Sequence, residues 1–331
     1  MTKKVIFGGV PGMTQSDIDK MEQYLLEEYP EVDFYFYGED TISKEELLMV
    51  GKDADVLISW DQEMDDEIYS SLNLTAYCAA STGFSPANVD AASKNGVYVA
   101  NVPDYCMEEV SSHTVTLILS LYRRLYRMVD YVKEGNWDLS PMKNIKRFEN
   151  STVGLMGLGR IPRKVSEKLS GFGVEIISYD PFVSKEDMKE LGVKKVDLDE
   201  LLAQSDYLSL HTPLMESTEK IINKENISKM KDGAYLINTA RGGLINEEAL
   251  LEALDSGKIR AAGLDVLRDE PPSQIGRKLI DHENTIVTGH CSYVSIESSD
   301  EQIRKTAINV AMFLSGEIPK YTLNKKTTKE K

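Results

Sequence analysis

The stretch Thr152–Leu169, TVGLMGLGRIPRKVSEKL, decides the fold. An apolar run leads into a turn that holds Gly157 and Gly159, and residues with helical spacing come next. The order is strand, tight turn, helix. The first glycine permits the turn, and the second lets the main chain approach a bound group closely. A helix N-terminus just beyond them presents unpaired N–H groups and the positive end of its dipole, which suits a pyrophosphate. Pro162 stands where a third glycine is usual. Proline is tolerated in a first helical turn, where its missing N–H would have no intrahelical partner. A glycine turn alone is weak evidence, because such turns also occur without a ligand. Here the next apolar run, VEIISYD, ends on Asp180, 21 residues after Gly159. A carboxylate at that place binds both ribose hydroxyls of NAD and repels the extra phosphate of NADP. Turn, helix and acid together predict a dinucleotide site that prefers NAD over NADP.

The same alternation continues outward. Downstream come LDELLAQ (helix), YLSLHTP and GAYLINTA (strands), EEALLEALDSG (helix), then IRAAGLDV and TIVTGH (strands). SDEQIRKTAINVAMFLSG reads as a final amphipathic helix, and the Lys-rich tail NKKTTKEK is expected to be mobile. Upstream, KKVIFGG, VDFYFY, ADVLISW, LTAYCAAST and VYVANVP read as strands, with helices in QSDIDKMEQYLLEEY and VDAASKNG. Between the two series, MEEVSSHTVTLILSLYRRLYRMVDYVKEG reads as one long helix ending at Gly135. Strands alternating with helices predict parallel sheets covered on both faces.

A chain of 331 residues exceeds what one core usually serves, so two domains are expected. Hydrophobic content of 41% and charged content of 28% describe a globular protein. The charge, 38 − 54 = −16, argues against binding nucleic acid or an anionic membrane, which both need a basic surface. No apolar run approaches the ~20 residues that span a bilayer. The apolar stretch in MTKKVIFGGVPGM is too short for a signal-peptide core. Cys78, Cys106 and Cys291 lie far apart and form no C-x-x-C pair, which suits a reducing cytoplasm and offers no Cys-based metal site.

Three polar residues fall just after predicted strands: Arg241 in NTARGG, Glu270 in RDEPP and His290 in TGHCS. Ligands of open parallel sheets bind beyond the carboxyl ends of strands, so these groups are placed to converge. Arginine grips a carboxylate with two hydrogen bonds, histidine passes a proton near neutral pH, and a carboxylate orients a histidine and raises its pKa. Singly, each also reads as an ordinary surface group. Of the other histidines, His113 reads as structural, His282 as exposed in a polar turn, and His211 as lining the cleft without chemistry. Asp265 is either structural or faces the nicotinamide.

These segments, above all MKDGAYLINTARGGLINEEALLEAL at 230–254, with GLGRI, YDP, HTPL, LDV, DEPP and the late histidine, resemble the D-isomer-specific 2-hydroxyacid dehydrogenase family. The resemblance covers almost the whole chain. It implies two doubly wound α/β domains with parallel sheets. A flavodoxin-like substrate domain takes 1–101 plus 299–331, and a Rossmann NAD domain takes 102–298. It further implies an NAD-dependent interconversion of a small 2-oxo acid and its D-2-hydroxy acid, with Arg241, Glu270 and His290 catalytic and no metal. Beside Gly157, Gly159 and Asp180, it implies cofactor contacts from Arg160 and Ile161. His211, Thr212 and Pro213 would add to them, as would Thr239, Ala240 and Asp265. Ser81, Thr82, Gly83, Tyr105 and Tyr293 would meet the substrate. A cytoplasmic homodimer through the cofactor domain would give the long helix its purpose.

Within the family, NVPDYCMEEVSSHTVTLILSLYRR and HCSYVSIESSDEQIR are similar to the C-terminal-binding-protein branch. An NAD(H)-sensing corepressor-like scaffold is therefore the alternative reading. Formate or phosphite oxidation is a third, and Glu270 speaks against formate, since formate dehydrogenases of this superfamily place glutamine there. The substrate loop departs from the family: it has extra residues around Pro86 and no basic residue, and Gly289 replaces a proline before the histidine.

Overall fold

A computed structural model describes residues 2–10, 12–38 and 40–324. The chain forms two compact units, Met1–Cys106 with Ser295–Lys331, and Met107–Val294. In chain order the first unit has β1 (Lys3–Phe7), α1 (Gln15–Glu28), β2 (Val32–Phe36), α2 (Lys44–Val50), β3 (Val56–Ser59), α3 (Asp66–Ser71), β4 (Ala76–Ala79), α4 (Val89–Lys94) and β5 (Tyr98–Ala100). The second has α5 (Met107–Arg123), α6 (Leu125–Lys133), β6 (Thr152–Met156), α7 (Arg160–Ser170), β7 (Glu175–Tyr179), α8 (Lys185–Glu190), β8 (Lys194–Lys195), α9 (Leu198–Gln204) and β9 (Tyr207–Leu210). It continues with α10 (Lys224–Lys229), β10 (Ala234–Asn238), α11 (Glu247–Asp255), β11 (Ile259–Leu264), α12 (Gln274–Asp281) and β12 (Thr285–Val287). The last helix, α13 (Ile296–Leu314), belongs to the first unit.

The first sheet has the order β2-β1-β3-β4-β5, all parallel, which is the flavodoxin-like pattern. Alternate side chains of its strands face opposite cores. Val5, Phe7, Val56, Ile58 and Cys78 pack with Met21 and Leu25 of α1 and Ile303 and Val310 of α13. Ile6, Leu57, Tyr77 and Val99 pack with Leu47 of α2, Ile68 of α3 and Ala91 of α4. The second sheet runs β12-β11-β10-β9-β6-β7-β8, also parallel, the Rossmann order extended by one strand. Val153, Leu155 and Ile237 face α5, α7 and α8; Met156, Leu208 and Leu236 face α9 to α12. Both sheets are thus buried on two faces, which explains their continuous apolar strands.

Three expectations need correction. The long helix is two helices. Arg124 between them is left-handed (φ 47°), and its Nη1 donates to Pro141 O at 2.8 Å. The reason lies in packing. α5 buries seven residues and is held by the sheet, whereas α6 buries none, so nothing enforces one axis through both. The expected tail is held at its first residue. Asn324 is buried, accepts from Val99 N at 2.7 Å and donates to Val97 O at 2.8 Å; positions 325–331 lie outside the described residues. The third concerns His282, whose side chain is only 12% exposed and whose Nδ1 accepts from Asn284 N at 3.1 Å.

Five short helices, α2, α3, α8, α10 and α12, had no reading in the sequence. With six to eight residues each, they are too brief to show a helical period. Their mark is the N-cap: Ser43, Asp65, Ser184, Asn223 and Ser273 each accept a main-chain N–H of the first turn.

Candidate active site

In the second sheet the strand order reverses between β6 and β9. Their carboxyl ends meet at the glycine turn. Gly157 has φ +96°, and a Cβ on it would lie 2.8 Å from the His211 carbonyl oxygen, so only glycine fits there. Space above Gly159 is open, and this residue begins α7 without a side-chain cap. A helix start of this kind is where an anion is favoured. Pro162 is the third residue of α7 and is buried, so the departure from glycine is absorbed by the helix's inner face. Arg160 is exposed and Ile161 half-buried at the same helix start. Asp180 ties this turn down: its Oδ2 accepts from Leu158 N and its Oδ1 from Phe182 N, both at 2.8 Å.

His211 comes directly after β9, and its Nε2 lies 2.9 Å from Ser209 Oγ. Burial pushes the imidazole down to about 3, so it is neutral at physiological pH. Thr212 is half-buried and Pro213 exposed beside it. Beyond β10, Thr239 is buried and its hydroxyl meets Thr114 Oγ1 of α5 at 2.8 Å, while Ala240 N donates to Asn238 Oδ1 at 3.0 Å.

Arg241 is next in the chain and is half-buried; its Nη1 donates to Ala240 O at 2.6 Å. Gly242 fixes where this arginine stands. A Cβ there would fall 2.0 Å from the Leu267 carbonyl, so the segment after β10 lies directly on the segment after β11. Glu247 Oε1 seals the contact by accepting from Arg268 N at 2.8 Å. Three residues past Leu267 comes Glu270.

Glu270 and His290 are joined: Oε2 and Nδ1 are 2.7 Å apart. Leu267 N donates to the other oxygen at 3.2 Å. Burial works to raise the Glu270 carboxyl, but the hydrogen bond and charge of His290 and the Leu267 amide outweigh it and leave it lowered. His290 has a left-handed backbone (φ 52°), unusual for a residue with a side chain. Its N–H donates to Asp265 O at 2.8 Å and Thr288 O at 3.0 Å, which holds it there. The Tyr293 ring stands edge-on to the imidazole, with centroids 6.0 Å apart.

Asp265, at the end of β11, is 1% exposed. Its Oδ1 accepts from Thr288 Oγ1 at 2.6 Å and Cys291 N at 3.0 Å, and its Oδ2 from Ser292 N at 3.1 Å. Burial alone would raise this carboxyl; the donors lower it. Thr288 Oγ1 donates to Asp265 and so accepts from His113 Nε2 at 3.1 Å. His113, Asp265 and Cys291 bring ligand-type atoms within 4.8 Å. The donors already on the carboxylate make this a hydrogen-bond network that grips the loop carrying His290. Thr288 gave no signal in the sequence, because a threonine at a strand end is unremarkable. A T-x-H spacing after an apolar run is the trace it leaves.

In the first unit, Ser81, Thr82 and Gly83 lie beyond β4. Ser81 Oγ donates to Gly83 O at 2.8 Å, and Asn101 Nδ2 donates to Thr82 O at 2.8 Å. Tyr105 is buried. Among the described residues no helix is long and apolar enough to cross a membrane.

Comparison with known proteins gives the same picture. Residues 115–292 match the family described as D-isomer specific 2-hydroxyacid dehydrogenase, NAD binding domain. The chain is 40% identical over 260 residues to a hydroxypyruvate reductase of Thermotoga maritima, covering 78% of this chain and 84% of that one. It is 38% identical over 286 residues to a D-3-phosphoglycerate dehydrogenase of Methanocaldococcus jannaschii, covering 86% of this chain but about half (54%) of the relative's length. A D-lactate dehydrogenase of Aquifex aeolicus, solved with NAD and lactic acid, superposes with a TM-score of 0.83 at 32% identity, covering 95% of this chain and 96% of that one.

Proposed function

The chain belongs to the D-isomer-specific 2-hydroxyacid dehydrogenase family, and from that premise we propose that it interconverts a small 2-oxo acid and its D-2-hydroxy acid with NAD. The observation that carries the reading is the Glu270–His290 contact of 2.7 Å. It leaves Nε2 as the nitrogen for proton transfer.

The residues present fit the cofactor. Gly157 leaves no room for a side chain, Gly159 opens onto space at a helix start, and Asp180 offers its carboxylate at the end of β7. When bound there, NADH supplies a hydride to the substrate's C2 and NAD removes one. Arg241 binds the substrate carboxylate through its guanidinium and draws charge from the adjacent carbonyl. In reduction His290 gives the proton from Nε2 to the carbonyl oxygen; in oxidation the same nitrogen takes it from the hydroxyl. Glu270 holds the imidazole through Nδ1 and balances its positive charge. Asp180 is the reason for preferring NAD, since a 2′-phosphate would meet its charge.

Ser81, Thr82, Gly83 and Tyr105 stand as proposed substrate-binding residues of the first unit, and Tyr293 of the second. A homodimer through the second unit is supported by the bare face of α6 and the segment just past it: Leu125, Val129, Trp137 (87% exposed) and Leu139 (73%) are all exposed. Cys78, Cys106 and Cys291 form no disulfide, which supports a cytoplasmic setting.

The test is a panel of 2-oxo acids followed at the NADH absorbance band, repeated with NADPH. At least one acid should turn over, faster with NADH. No turnover of any acid contradicts the reaction, and an NADPH preference contradicts the role of Asp180.

A further inference from the structure

Five loops leave the carboxyl ends of the first sheet, at 8–14, 37–43, 60–65, 80–88 and 101–106. Strand order reverses between β1 and β3, and ligands of such sheets bind beyond the carboxyl ends at that reversal. The sequence of these loops contains no Lys, Arg or His. Its described residues include Asp40, Asp61, Glu63, Asp65 and Asp104. Asp61 and Glu63, next to the reversal, are exposed.

The flanking cations are paired. Lys44 meets Asp65 and Glu67, each at 2.7 Å, and Lys305 meets Asp104 at 3.1 Å and Glu301 at 2.8 Å. Helix starts at this end also bind their own caps. Thr14, Ser43, Asp65 and Asn88 take first-turn N–H groups that would otherwise face an anion. In the second unit Arg241 is assigned to the carboxylate that every 2-oxo acid carries. Arg268 shares its surroundings with Glu247, Glu248 and Asp269.

A phosphate monoester brings a charge of about −1.5 to −2 and needs cations or main-chain donors to leave water. From the loops' charge, and resting on the reaction proposed above, we propose that the substrate's substituent is uncharged (hydrogen, alkyl or hydroxyalkyl) and that phosphorylated 2-oxo acids are rejected. The relatives named above act on both kinds by name, so membership of the family does not decide between them.

The experiment compares hydroxypyruvate with phosphohydroxypyruvate, which differ only in the phosphate. With NADH, kcat/KM should favour hydroxypyruvate by about a hundredfold or more, the size expected when a dianion meets like charge without a paired cation. Equal or better use of phosphohydroxypyruvate overturns the proposal. The double variant Asp61→Asn with Glu63→Gln should raise kcat/KM for phosphohydroxypyruvate several-fold at low salt, less at high salt, and leave hydroxypyruvate within about twofold. No change on the phosphorylated substrate overturns the charge argument. Calorimetric titration of the NADH-loaded protein with D-glycerate and D-3-phosphoglycerate, pairs that cannot react, reads the same selectivity without turnover. Phosphoglycerate bound as tightly as glycerate sinks this inference alone. Absence of both binding and turnover sinks the proposed reaction with it.

Discussion

Beyond β3 of the first unit the chain reads Trp60-Asp61-Gln62-Glu63; beyond β10 of the second it reads Thr239-Ala240-Arg241-Gly242. Both stretches leave a parallel strand at its carboxyl end, where α/β sheets place ligands. The second unit gathers there a guanidinium, a paired imidazole and carboxylate, and a glycine turn. The first offers hydroxyls, amides and acids, with no basic residue among them. The difference teaches that fold alone assigns no role; the residues just beyond each strand do. On the proposed reading the reacting groups all follow strands of the second sheet, and the loops of the first bear on the choice of substituent.

That contrast can be broken most sharply at Arg241. Arg241→Ala should lower kcat/KM by about two orders of magnitude or more, because the substrate carboxylate then lacks its charged partner. Arg241→Lys should recover little of it, since an ammonium cannot make the two parallel bonds. If Arg241→Ala cost no more than the acidic pair of the first unit, the division of roles would be wrong.

Glu270→Gln comes next. It should lower kcat about 10- to 100-fold with a smaller change in KM, the pattern of a group that acts through its neighbour. The sign with pH is set by the lowered carboxyl. A carboxylate with lowered pKa supports the pair above its ordinary value and fails only as pH falls through the lowered one. Wild-type activity should therefore show an acid limb that Glu270→Gln lacks. Identical pH profiles would remove Glu270 from the mechanism.

A smaller effect is expected at Thr288. Thr288→Val keeps the shape but leaves Asp265 short of a donor and His113 without its acceptor. Unfolding should become easier by roughly 1–3 kcal/mol, with kcat reduced only several-fold. A variant as stable and active as wild type would show that this network does not hold the loop.

His211 offers the finest distinction. Its imidazole titrates near its ordinary value when unfolded but at about 3 when folded. Stability should be unaffected above about pH 6.5 and fall below it, by up to ~1.4 kcal/mol per pH unit, as the unfolded chain takes the proton. His211→Gln should flatten this slope in thermal melts between about pH 6.5 and 4. An unchanged slope would place the acid sensitivity elsewhere.

The legibility of the two regions differs as well. The turn at Gly157 and Gly159 announces itself, because a backbone that must approach another chain segment admits only glycine. Arg241, Glu270 and His290 were visible as polar residues at strand ends, and a carboxylate–histidine pair was expected among them, but not how it is held. The 2.7 Å contact depends on Gly242 seating one loop on another and on Asp265 drawing in the loop at 288–292, neither of which has a local pattern. The break at Arg124 was hidden for a related reason. α6 keeps a helical rhythm that its neighbours do not use, and a sequence shows the rhythm but not the missing partner. His282 looked exposed because its neighbours are polar, yet its side chain is largely buried and its Nδ1 accepts from Asn284 N.

The proposed mechanism rests on the imidazole of His290 as the group that moves the proton. Its most direct test is the single-turnover rate of His290→Gln, saturated with NADH and a 2-oxo acid the wild type reduces. A loss of about 10²- to 10⁴-fold in the hydride-transfer step, with NADH binding retained, is the predicted result. A rate within a few-fold of wild type would contradict it.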